Sequence, residues 1–299
     1  MKRGDRRGVA LAVVLAMLVT LGVIAAGMGR AVRLEADTVA TLRARTVARY
    51  GAESGVVAAE WRIQTLLDSA QSLPDWAAEF QEADAWLRRL GRVTLGDAQF
   101  EVAVIDLGAR VDLNRSSAGT VRGLLEQFTG QGRAADIVTA IKARPLYRVG
   151  ELALIPGVDD ELATAVAPYV TVWGDGTVNL NSAPEPVLAA VQEIGKPGAR
   201  NIIMRRESGE IFDSDSSILP ESGSMAGVPA PEQEEDSESE PEPEVAPDDL
   251  GFTVSTAPTR LLIIARGWRV GHPLTHEVQA VYAVMETRLT LQIWQERDL

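Results

Sequence analysis

The 299-residue chain has no cysteine, which excludes disulfides, thiolate nucleophiles and thiolate-held metals. That absence suits a place outside the cytoplasm without establishing one. No proline precedes Pro74, so nothing before it forces a helix to end. Histidine occurs only as His272 and His276. Between Asp213 and Asp249 there is no Lys or Arg, and there are 13 acids. Those acids account for the whole formal net charge of −13 and leave the rest of the chain balanced. The balance argues neither for nor against a nucleic-acid partner.

Charge is also missing from Val9 to Gly29, where Thr20 is the only polar side chain. Around twenty apolar residues span a bilayer's hydrocarbon core, and in lipid the backbone must bond to itself as a helix. Lys2, Arg3, Arg6 and Arg7 precede the run, which keeps that end cytoplasmic and puts the bulk of the chain outside. The competing reading is a secretory signal cut near Ala25-Ala26-Gly27. Against it, the helical pattern continues from Arg30 to Asp68. Val39, Leu42, Tyr50, Val57 and Trp61 share one face, with Arg43, Arg45 and Glu53 elsewhere. One helix from Val9 to Asp68 would be roughly 90 Å long, its first third in lipid and its last part packed on a domain.

Leu73-Pro74-Asp75 ends that helix, and Trp76, Phe80, Trp86, Leu87 and Leu90 suggest one or two short ones. Gln99 to Leu107 reads as a strand. An internal repeat follows: Val111-Asp112-Leu113-Asn114 returns as Val178-Asn179-Leu180-Asn181. Each copy continues into a helical pattern, through Val121, Leu124, Leu125 and Phe128 in the first and Val187, Leu188, Val191 and Ile194 in the second. Ser182 with Glu185 forms a candidate capping box. A further helix comes next in each copy, around Ile137 to Ile141 and around Ile202 and Ile203, and then an aromatic recurs, Tyr147 and Phe212. Residues 213–250 are rich in Pro, Glu and Ser and too poor in apolar side chains to offset chain entropy, which predicts disorder. Strand patterns close the chain at Phe252–Ser255, Leu261–Ala265, Glu277–Met285 and Leu289–Trp294, with Trp268 to Pro273 as a turn. In the last of them Leu289, Leu291 and Ile293 alternate with polar neighbours and Trp294, as in a half-buried strand.

No catalytic constellation emerges. His272 and His276 with Glu277 need a helix to face one metal, and Pro273 and the strand pattern oppose one; Ala280 stands where a His-Glu-x-x-His motif needs its second histidine. Both histidines are expected at the surface or in loops. Ser54, within Gly51-Ala52-Glu53-Ser54-Gly55, lies inside a helical pattern and is no nucleophile elbow. Val149 to Val158 resembles a helix-hairpin-helix, which elsewhere holds DNA phosphate at the hairpin glycine. Here Gly157 is followed by Asp159, Asp160 and Glu161, while Gly195-Lys196-Pro197-Gly198-Ala199-Arg200 is a more permissive second hairpin. Asp106, Asp112, Asp159, Asp160 and Glu161 carry oxygen ligands of the kind calcium takes; a solvated acidic turn or helix N-terminus is the favoured reading, and no ligand set is assigned.

Arg7-Gly8-Val9 places a glycine between a basic leader and the apolar helix. This resembles a type IV prepilin signal, which implies cleavage between Gly8 and Val9 by a prepilin peptidase and N-methylation of Val9. The fifth mature residue, Glu in most such proteins, is Val13 here. That departure, the twin Leu-Asn repeats and the terminal strands together resemble the K-type minor pseudopilins of type II secretion (general secretion pathway protein K). The resemblance implies an α+β, type IV pilin-like fold: a long N-terminal transmembrane helix, an antiparallel sheet and an inserted α-helical lobe with two helix-hairpin-helix-like repeats. Expected boundaries are a leader at 1–8, a membrane segment at 9–29, its periplasmic continuation at 30–72, a pilin-like domain at 73–107 and 251–299, the lobe at 108–212 and the acidic linker at 213–250. Implied partners are the I-type and J-type minor pseudopilins, the major pseudopilin, the prepilin peptidase and the inner-membrane assembly platform. The resemblance implies a non-enzymatic role without cofactor, in the inner membrane, with the bulk of the chain periplasmic. Two alternatives remain at this point: a membrane-anchored helix-hairpin-helix protein for DNA binding or uptake, and a minor pilin of a type IV pilus.

Overall fold

A computed structural model of the chain describes residues 5–70, 76, 78, 80, 91–213, 254–285 and 287–299. Helix α1 runs unbroken from Asp5 to Ser69. Strands β1 (Arg92–Leu95) and β2 (Ala98–Asp106) follow. The lobe then comprises β3 (Val111–Asp112), α2 (Ala118–Leu125), α3 (Gln131–Ala143), α4 (Asp160–Val166), β4 (Val170–Thr171), β5 (Val178–Asn179), α5 (Glu185–Ala190), α6 (Gly195–Glu207) and β6 (Val254–Ser255). Strands β7 (Arg260–Arg269), β8 (Thr275–Met285) and β9 (Arg288–Asp298) complete the chain. The acidic segment from 214 on, and most of the expected short helices around Trp86, lie outside the described residues.

Five strands form one antiparallel sheet in the order β1-β2-β7-β8-β9. The sequence reading contains only one early strand; β1 is the addition, joined to β2 by a hairpin in which Gly96 has φ +64°. That value suits glycine, so Gly96-Asp97 was the available turn signal. Helix α1 lies across one face of the sheet. The residues it buries there are small: Ala44, Ala48, Ala52 and Ala59, with Val56 and Ile63, are fully buried. Val39, Leu42, Tyr50, Val57 and Trp61 point the other way, each more than half exposed. Around Ala48, Gly51 and Gly55 large side chains are excluded because helix and sheet approach closely there. A Cβ on Gly267 would sit 2.2 Å from the Ala48 carbonyl oxygen, and one on Gly55 2.9 Å from Val102 Cγ2. Beyond this close approach Leu66, Leu67, Trp76, Phe80, Val104, Leu261, Ile263 and Tyr282 close the core.

Strand β9 departs from its expected alternation. Val281 faces Ile293 but Tyr282 faces Leu291, so Gln292 is bulged out of register. A one-residue slip moves side chains to the opposite face. Leu289 therefore packs on the α1 side, while Ile293 packs on the other with Leu107, Leu262 and Val281.

Gly51 approaches Gln99 and Ala98, and Gly55 approaches Phe100 and Val102, so β2 ascends alongside α1. Asp106 accordingly lies at the end of the sheet remote from the apolar N-terminal run, and the lobe emerges there. The lobe has its own core, from Val111 through Phe212, and Trp173 packs against both that core and the sheet residues around Leu107.

The two repeats are structural as well as sequential. β3 pairs in parallel with β4, and β5 with β6. Asn114 Nδ2 donates to the carbonyls of Leu146 and Val172 while its Oδ1 accepts the Leu146 N–H. Asn181 does the same with Phe212, Thr256 and the Phe212 N–H. The counterpart of Phe212 is therefore buried Leu146; the expected match, Tyr147, is 73% exposed. In the first copy the stretch from Leu146 to β4 carries the hairpin and α4. In the second, the corresponding stretch from Phe212 to β6 is the acidic segment.

Candidate functional site

The N-terminal site residues Gly8, Val9 and Val13 all lie within α1. From Leu11 to Arg43 no residue of this helix is covered by the rest of the described chain, and its apolar part is long enough to cross a membrane. The stretch from Arg30 to Leu42 is a bare helical neck of about 20 Å before the sheet begins. Its free face continues upward as Val39, Tyr50 and Trp61, spaced 11 residues apart, flanked by Leu42 and Val57. An 11-residue period closes almost whole turns, so this stripe runs nearly straight along the helix. Ser54 lies on the same segment and its hydroxyl donates to the Tyr50 carbonyl at 2.7 Å, a helix-internal bond.

Ion pairs flank the stripe and pin α1 to both edges of the sheet. Arg43 meets Asp97, Arg45 meets Asp298, and Arg49 meets Glu296 and, within the helix, Glu53. On the sheet's other face Arg92, Glu101, Arg266, Glu277 and Arg297 occupy successive cross-strand positions through all five strands. Glu277 is the buried centre of that row. Burial alone would raise its pKa, but hydrogen bonds from Arg266, Gln279 and Arg297 outweigh it and hold the carboxyl below its ordinary value. The sequence signal for this row, Arg and Glu alternating between neighbouring strands, is readable only once the register is known.

The histidines do not meet at a metal. His272 sits in the β7–β8 turn, where its Nδ1 accepts the Leu274 N–H. His276 is on β8, and contrary to the surface placement expected for it, it is 7% exposed. Its Nδ1 lies 2.8 Å from Asp298 Oδ1; Nε2 is 3.4 Å from Glu296 Oε2, without the alignment of a hydrogen bond. Glu277, next along the strand, points to the opposite face. Among the described residues no group of three or more His, Asp or Glu converges as metal ligands.

The lobe's acids are engaged internally. Asp159 caps α4 by accepting the Leu162 N–H at 2.8 Å and pairs with Arg133, which also donates to the Gly157 carbonyl. The hairpin edge where a phosphate would approach is thus already filled by a carboxylate. The proposed second hairpin, Gly195 to Arg200, is instead the first turns of α6. Ser182 does not cap α5, which begins at Glu185 after Pro184; its hydroxyl goes to Asp106 Oδ2. Asp106 also accepts from Asn179 Nδ2 and the Gly108 N–H and so ties the end of β2 to the second repeat. Far from being a solvated turn, Asp106 and Asp112 are buried, and burial raises both pKa values against their hydrogen bonds.

A membrane-length helix that continues as the spine of an antiparallel sheet, with a helical lobe inserted between β2 and β7, defines a pilin-like α+β protein. The fold is shared with a chain in the crystal structure of the GspK-GspI-GspJ complex from the enterotoxigenic Escherichia coli Type 2 Secretion System. The TM-score is 0.57 at 12% sequence identity, and the likeness covers 87% of this chain and 99% of that one. No family model and no curated protein matches the sequence.

Proposed function

We propose that this protein is a K-type minor pseudopilin of type II secretion, seated at the tip of the pseudopilus and taking part in its initiation and in protein export across the outer membrane. The observation that carries this reading is the division of labour along α1. Its Ala/Gly face is used up by the sheet, and its bare apolar face continues in line from the membrane-length segment. Such a face suits other single-pass helices rising beside it from the same bilayer. The I-type and J-type minor pseudopilins supply them in this reading, with the major pseudopilin below. In this reading the lobe, at the membrane-distal end, crowds the place of a subunit above, which suits an end position. Val13 fits that position: a subunit without a buried Glu offers no carboxylate to the amine of a predecessor, and an unpaired charge in lipid is costly.

In this reading the prepilin peptidase removes residues 1–8, Val9 becomes the methylated N-terminus, and the inner-membrane assembly platform receives a chain whose bulk is periplasmic. The work is assembly, without catalysis or cofactor. The carboxylate at the hairpin disfavours the DNA reading. Because the chain has no cysteine, Tyr50→Cys or Trp61→Cys introduces a unique thiol. Disulfide crosslinking in membranes to cysteine-bearing I-type and J-type partners tests the proposal. Heterologous adducts with an intact mass beginning at Val9 are expected. A disulfide-linked homodimer in place of the heterologous adducts, or a mature chain starting near Arg30, would refute it.

A further inference from the structure

In the first repeat the segment from Leu113 to Ser116 turns three carbonyl oxygens toward one point. Lys142, from the last turn of α3, places its ammonium there: Nζ is 3.1 Å from Leu113 O, 3.1 Å from Asn114 O and 2.6 Å from Ser116 O. An ammonium has three N–H donors, and here each has an oxygen. Beside the turn lies Asp112, 1% exposed. Its Oδ1 accepts the N–H groups of Asn114 and Arg115, whereas Oδ2 faces Gly174 without a well-formed hydrogen bond. Three converging carbonyls are the kind of oxygen ligands a hard cation takes, and the buried Asp112 carboxylate adds negative charge nearby.

The choice of residue is informative. Of the chain's 29 Lys and Arg, only Lys2, Lys142 and Lys196 are lysine. Lys2 belongs to the N-terminal basic stretch, and Lys196 is exposed at the start of α6. In a chain that otherwise uses arginine, lysine stands where a compact point charge is required. A planar guanidinium cannot direct three donors to converging carbonyls from one atom. The second repeat makes the contrast. Arg206 donates to a single carbonyl of the corresponding turn, Ala183 O at 2.6 Å, and the residue matching Asp112 is uncharged Asn179.

We propose that the turn 112–116 is a cation-binding turn whose ion is the chain's own Lys142 ammonium, and that a divalent, oxygen-seeking cation enters the site when the lysine is removed. This makes the first repeat independent of external ions. It does not depend on the secretion reading.

The test uses the full-length protein in detergent. Amine acylation followed by mass spectrometry should modify Lys142 about tenfold more slowly than Lys196, because all three of its N–H groups are engaged. Lys142→Ala should melt roughly 5 °C below wild type in EDTA and regain most of that loss in millimolar calcium chloride. The regained part should vanish in Lys142→Ala with Asp112→Asn. Lys142→Arg should also melt lower but gain no more from calcium than wild type, since its side chain still fills the site. A Lys142→Ala protein that gains no more from calcium than wild type overturns the proposal. So does a Lys142 that acylates as fast as Lys196, a measurement that needs no variant to fold.

Discussion

At the scale of single residues, Glu277 carries the most consequence. Its side chain is fully buried, Arg266 Nε donates to one of its oxygens at 2.7 Å, and Arg297 and Gln279 donate to the other. Removing the carboxylate leaves two guanidinium groups facing a neutral amide, and because both are partly exposed the cost is moderate. Glu277→Gln is expected to destabilise the folded domain by about 2 kcal/mol, read by thermal or urea unfolding. Since the folded pKa is depressed, the stabilisation is complete above the ordinary carboxyl range near pH 4 and is lost as pH falls through the lower folded value. The Gln variant should therefore show a shallower loss of stability below about pH 4 than wild type. Asp106 and Asp112, raised by burial, act in the opposite sense, so the difference between variant and wild type isolates Glu277.

At the scale of elements, α1 and β7 approach through Gly267. A methyl group there meets two backbone atoms, Ala48 O at 2.2 Å and Ala52 N at 2.3 Å, and neither can swing aside. Gly267→Ala is expected to cost about 3 kcal/mol, because the helix must lift from the sheet along its packed face. The opposite face behaves differently. Tyr50→Ser and Trp61→Ser remove exposed side chains that nothing in the described chain covers, so the melting temperature of the isolated protein should stay within about 2 °C. The same variants should lower heterologous crosslinking from the helix. A large loss of stability would mean that the stripe packs within the chain rather than against partners.

At the scale of the whole molecule, the lobe is two copies of one turn-and-helix unit, each closed by a parallel strand pair and an Asn clamp. The acidic segment enters the second copy between the clamp and its return strand. Asn181 Nδ2 holds one carbonyl on each side of the segment, Phe212 O at 2.8 Å and Thr256 O at 2.6 Å, so its two ends are brought side by side. A short Gly/Ser linker can span that gap. Replacing 214–252 by one should leave the melting temperature within a few degrees, since lengthening or shortening a closed loop changes its entropy only logarithmically. A collapse of the lobe on replacement would show that the segment contributes to packing.

Much of this architecture was legible in the sequence because it depends on local composition. The proline-free, charge-free run makes one long helix, the alternating segments near the C-terminus make strands, and Val-Asp-Leu-Asn against Val-Asn-Leu-Asn marks the duplication. Tertiary contact decided the rest. Which face of α1 packs could not be told from hydrophobicity, because the sheet demands small residues and leaves Tyr50 and Trp61 outside. The bulge at Gln292 reversed the facing of Ile293, and buried Asp106 drew the Ser182 hydroxyl away from the helix end it was expected to cap. Glu277 and Lys142 gained their roles from groups that are distant in sequence or met only by a helix folding back on its own turn. Sequence patterns report the period of an element; the partners of a side chain are set by register and close approach, which exist only in the folded chain.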